Sequence, residues 1–131
     1  MEKPNPDIQL ISNMVVRDDA GRILFVKYDP DDERWWLPGD DLVPYQHPDE
    51  SAAEILNGLP GLKWSGLEMK FIESFRGRRG WHVMFNYHVR GNGDITGDIP
   101  AAWFPPENLP RTMHGKWEIG VVERLIGVVR T

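Results

Sequence analysis

At 131 residues and 15.1 kDa the chain has room for one compact domain, residues 1–131, and not for two. Fifteen Lys and Arg against 20 Asp and Glu leave a net charge of −5, which argues against a binder of duplex nucleic acid or of an anionic membrane surface. The absence of cysteine excludes thiol catalysis, Cys-based zinc sites and disulfides.

Residues 1–7 carry Pro4, Pro6 and three charges, an extended lead-in with no apolar stretch of the kind a secretory leader needs. Other apolar runs, such as Ile23–Val26, fall far short of the roughly 18 residues of a membrane span, and a cytoplasmic location is the expectation. Gln9–Val16 is β-branched enough for a strand; the Asp18-Asp19-Ala20-Gly21 turn and a second apolar strand, Arg22–Tyr28, follow, and the two should pair antiparallel. A polar loop leads to Trp35-Trp36-Leu37-Pro38-Gly39, a short extended piece closed by a Pro-Gly turn. From Asp40 to Pro48 prolines and the lack of periodicity predict an ordered loop, then a helix of about ten residues that Gly58 and Pro60 end. Leu67–Arg76 and Trp81–Arg90 form a hairpin about Gly77–Gly80, with Trp81, Val83, Phe85, Tyr87 and Val89 on one face. Ala101–Phe104 is a short strand, and Trp117–Leu125 has the apolar spacing of a final helix.

In that order, the segments Asp19–Val26, Trp36-Leu37-Pro38-Gly39 and Trp103-Phe104-Pro105-Pro106-Glu107-Asn108-Leu109-Pro110 resemble the Nudix hydrolase family over nearly the whole chain. The resemblance implies an α+β fold, an α-β-α sandwich with a mixed β-sheet, and hydrolysis of a nucleoside diphosphate linked to another group. The family signature, G-x5-E-x7-R-E-U-x-E-E-x-G-U with U aliphatic, lies without a gap on Asp40 to Leu62, but most of it is missing. Its glycine falls on Asp40, its first glutamate on Gln46, its arginine on Glu54, and its later glutamates on Ile55, Gly58 and Leu59; only Leu56, Gly61 and Leu62 agree. In the family those glutamates hold the divalent metals that bridge the substrate's diphosphate. Ile55, Gly58 and Leu59 offer no side-chain oxygen to Mg²⁺ or Mn²⁺.

A relocated site would use Glu50 and Glu54, four apart on one helix face, with Asp40 and Asp41 from the loop before it; these are the metal candidates, and Glu50 and Glu54 the catalytic ones. The alternative is a solvated helix face and aspartates that satisfy loop N–H groups. For substrate binding the candidates are Arg76, Arg78 and Arg79, a basic cluster fit for phosphate, and Trp35. If Trp36 packs in the core, Trp35 points the opposite way, towards a ligand, a partner or solvent. His47, His82 and His88 lack zinc-type spacing, and Glu118, where some Nudix proteins place a further carboxylate, also fits a helix-start charge. The expectation is an atypical Nudix-type hydrolase or nucleotide-binding protein for a small nucleotide-type ligand, with Mg²⁺ or Mn²⁺ as the cofactor in question. The rival is a catalytically inactive Nudix-like domain used for ligand sensing or protein interaction, and six tryptophans would suit a homodimer.

Overall fold

Residues 7–127 are described by a computed structural model, so the predicted lead-in lies outside them except for Asp7. Strand β1 (Ile8–Arg17) runs into a turn that Asp18 organises before β2 (Ile23–Val26) begins. The Asp18 Oδ1 accepts the Ala20 and Arg22 N–H groups at 3.1 and 2.7 Å, its Oδ2 accepts Arg22 Nε at 2.7 Å, and Gly21 supplies a φ of +82°. The two strands pair antiparallel, as expected, with Arg17 opposite Ile23.

Farther back along β1, Ile11–Asn13 pair with a strand that the sequence reading placed in a loop, β3 (Gly39–Asp41). Three residues are too few to show a period, and Gly39 has a reason other than a turn. A Cβ there would lie 2.8 Å from the Ser12 carbonyl oxygen, so only glycine lets the two backbones approach this closely.

Helix α1 (Pro48–Asn57) follows, close to its predicted bounds. His47 caps it, its Nδ1 accepting the Asp49 N–H at 3.0 Å, and Pro48 fits the first turn, where its missing N–H costs nothing. Gly58 closes the helix by donating to the Glu54 and Ile55 carbonyls. The hairpin of β4 (Lys63–Gly77) and β5 (Gly80–Asn92) turns where predicted but is longer at its open end. Strand β5 lies parallel to β1 along its whole length, from Ile8 opposite Trp81 to Arg17 opposite Arg90. Strand β6 (Ala101–Phe104) pairs with β2, a 3₁₀ turn covers Pro106–Asn108, and α2 (Lys116–Ile126) ends the described chain.

The result is a six-stranded mixed sheet, ordered β4-β5-β1-β2-β6 with β3 beside β1, between two helices: an α+β sandwich. Strand alternation builds its two cores. Met14, Val16, Leu24, Val26, Tyr87 and Val89 meet Ala52 and Leu56 of α1. Val15, Ile23, Phe25 and Leu37 meet Val121 and Val122 of α2 on the other face. Among the described residues no helix is long and apolar enough to cross a membrane.

Candidate functional site

β3, the start of α1 and the tip of the β4–β5 hairpin meet at the end of the sheet where β1 begins. Ser12 links two of these pieces, donating its hydroxyl to the Pro48 carbonyl at 3.0 Å. Tyr87 joins β5 to α1 through its hydroxyl, which donates to Asp49 Oδ1 at 2.6 Å; burial, and then that hydrogen bond, push the phenol's pKa far up.

Three of the four carboxylates proposed to replace the missing glutamates have other partners. Asp41 accepts a bidentate fork from Arg79 at 2.8 and 3.0 Å, and this hydrogen-bonded guanidinium holds its pKa below the usual carboxylate range. Asp40 accepts the Asp41 N–H at 2.7 Å. Glu54 accepts Gln46 Nε2 at 2.9 Å, and Glu50 is exposed. Among the described residues no three His, Cys, Asp or Glu side chains come together as metal ligands would.

The positions where the resemblance puts metal-binding glutamates are equally informative. Leu59 is buried in the core shared with α1, Ile55 packs against that core, and Gly58 is the residue that ends the helix. Two of these three side chains are spent on packing and the third is absent. The donor set therefore does not fit the octahedral oxygen shell of the divalent metal that the fold family implies.

The arginines do not converge. Arg76 stands opposite Trp81 on the α1 face, Arg78 sits in the turn, and Arg79 is held by Asp41. Trp35 does point away from Trp36, but α2 covers the sheet on that side, so it turns into the α2 core instead of towards solvent. There it packs edge-on to Phe104 at 5.1 Å, with Lys27 Nζ 4.8 Å from its ring. His47 is a helix cap, and His82 lies against Phe75 with ring centroids 5.3 Å apart. Glu118, 1% exposed, accepts the His114 N–H on both carboxylate oxygens at 2.9 and 3.1 Å, which is the helix-start role.

A polar ladder crosses the sheet on the α2 side that sequence reasoning missed. Asn13 Nδ2 donates to Asn86 Oδ1 at 3.0 Å, and Asn86 Nδ2 reaches Glu73 at 3.5 Å, with both asparagines buried. The signal was present in Ser12-Asn13 interrupting an apolar strand, but its partner depends on the β1–β5 register.

No family model matches the chain, and no curated protein matches it in sequence. Solved structures do. A UDP-X diphosphatase superposes over 94% of this chain with a TM-score of 0.75 at 15% identity, and this chain spans 64% of that one. A MutT protein from Bacillus halodurans gives 0.70 at 16% identity, covering 93% of this chain and 84% of that one. A MutT NUDIX hydrolase from Burkholderia pseudomallei gives 0.69 at 17%, covering 88% and 98%. The fold is that of the Nudix hydrolases.

Proposed function

We propose that this chain is a Nudix-fold protein that binds a nucleotide-type ligand without cleaving diphosphates through a metal centre at α1. The observation that carries the reading is the fate of the signature positions: Ile55 and Leu59 serve the core, Gly58 ends the helix, and Asp41 is neutralised by Arg79. A metal that stabilises phosphoryl charge and activates water supplies several kcal/mol to the transition state, so losing its ligands removes orders of magnitude in rate. The ligand class rests on the fold neighbours, among them a diphosphatase of UDP-linked compounds.

The test is a hydrolysis screen of purified protein on nucleoside triphosphates, dinucleoside polyphosphates, nucleotide sugars and NADH, with Mg²⁺, Mn²⁺ or chelator, beside Glu54→Gln. The reading expects no turnover above chelator controls, together with saturable nucleotide binding that metal leaves unchanged. Metal-dependent turnover that Glu54→Gln abolishes would overturn it in favour of a relocated carboxylate site.

A second reading, protein interaction, has its own observation. Beyond the reach of α1, the same sheet face leaves Ile8, Leu10, Ile72 and Trp81 exposed side by side. Concentration-dependent self-association, or nucleotide binding absent altogether, would favour that reading.

A further inference from the structure

On the opposite side of the sheet from α1, and at the other end of β1, three cations line one cavity of about 420 Å³: Arg17 of β1, Arg90 of β5 and Lys70 of β4. Sequence reading found basic residues clustered only at the hairpin tip. This group is assembled by pairing, since Arg17 and Arg90 are far apart in the chain and stand directly opposite in the parallel β1–β5 register. We propose that this cavity is a binding site for the phosphate group of a small molecule, separate from the region of α1.

Both irregularities of β4 serve it. The first bulge sets Gly66 and Leu67 opposite the single Val89; Gly66, in the left-handed region at φ +67°, lines the cavity, and a Cβ on it would meet nothing within 4 Å. At the second bulge Lys70 is the extra residue between the Met69–Tyr87 and Phe71–Asn86 pairs, and it too lines the cavity. Bulges re-aim side chains that regular pleating would send elsewhere. Leu125 of α2 supplies an apolar wall.

The charge balance favours an anion. The acid in the lining is Glu68, which Lys70 Nζ takes at 2.9 Å, and among the described residues Arg17 and Arg90 form no salt bridge. Like charges directly opposite in a sheet repel, and a phosphate between two guanidiniums would replace that repulsion with charge-assisted hydrogen bonds. His88, also in the lining, senses the same field: burial first, then Arg17 and Lys70, hold its pKa below the ordinary histidine value, with Glu68 opposing. The cavity's size falls in the range of small-molecule sites, roughly 300–1,000 Å³. Because the cavity lies across the sheet from α1, the inference does not depend on whether the signature region cleaves anything.

The experiment is calorimetric titration of inorganic pyrophosphate, and separately of ADP, into the full chain at low and at near-physiological ionic strength. Arg17→Gln, Arg90→Gln and Lys116→Gln are compared with the unchanged protein. Lys116→Gln removes the same charge from an exposed position at the far end of α2 from Leu125. Arg90→Lys, which keeps the charge, guards against a failure of folding, and thermal unfolding is recorded for every variant. The inference expects saturable pyrophosphate binding that weakens by about tenfold or more in Arg17→Gln and Arg90→Gln at unchanged unfolding midpoint, is largely kept in Arg90→Lys, and is unaffected in Lys116→Gln. ADP that competes with pyrophosphate and loses affinity in the same variants identifies a nucleotide phosphate as an occupant; ADP that does not compete restricts the site to free phosphates. Absence of saturable pyrophosphate binding, or equal weakening in Lys116→Gln, would overturn the inference. Neither outcome bears on metal-dependent turnover, which tests the absence of a metal centre at α1.

Discussion

Glu118 shows what a helix-start carboxylate does when it is buried. It satisfies a part-buried backbone N–H ahead of α2, that of His114. Glu118→Ala should therefore cost about 2 kcal/mol in a denaturant titration. Burial raises its pKa above the ordinary carboxylate value, against the opposing pull of the His114 N–H. Its sign fixes the pH dependence. The unfolded chain ionises at a lower pH than the folded one, so this contribution to stability is complete below the unfolded pKa and is lost as pH rises through the folded value. Glu118→Gln, which cannot ionise, should lack that slope. The stability of the unchanged protein relative to Glu118→Gln should fall as pH rises from about 4 towards neutrality, and a flat difference would speak against a buried ionising carboxylate.

Helix α1 ends at Asn57, just before Gly58 and Leu59, two of the positions where the resemblance puts glutamates. The signature positions are not equivalent in what they could take back. Gly58 has an ordinary φ of −78°, and a Cβ there would meet its nearest neighbours, two helix carbonyl oxygens, at 3.4 Å, so Gly58→Glu should leave the unfolding midpoint nearly unchanged. Leu59 is buried, and Leu59→Glu should lower stability by several kcal/mol, by loss of packing and burial of a charge. Equal tolerance of both variants would mean that α1 is not anchored by its C-terminal end. Most of the elements were legible because their signals are local: the Asp18–Gly21 turn, the alternation of β5, and the Pro48 start and Gly58 stop of α1. Strand β3, the parallel pairing of β1 with β5 and the two bulges of β4 were not, because each is decided by a partner distant in the chain. The site divides along the same line. That Ile55, Gly58 and Leu59 carry no carboxylate is visible in the residues themselves, whereas the Arg79–Asp41 fork, the Asn13–Asn86 ladder and the meeting of Arg17 with Arg90 exist only once the register is known.

For the molecule as a whole, the two cores on opposite sheet faces account for the sandwich, and the part of the α1 face that no helix covers is its exposed remainder. The long edge strand β4 borders that remainder, and Ile72 lies on it. In a monomer Ile72→Lys should change stability by no more than about 0.5 kcal/mol, as surface substitutions do. A loss several times larger, removed by dilution in the unchanged protein, would mean that the face is covered by a second copy. The proposal for the whole molecule is that the Nudix hydrolase fold here holds no divalent metal at α1: Ile55 and Leu59 pack, Gly58 ends the helix and Asp41 is paired with Arg79. Its most direct test is a Mn²⁺ titration followed by electron paramagnetic resonance, in which free Mn²⁺ gives the signal and bound Mn²⁺ removes it. The account predicts a signal that tracks added metal, in the unchanged protein as in Glu54→Gln. Stoichiometric loss of free Mn²⁺ that Glu54→Gln restores would contradict it.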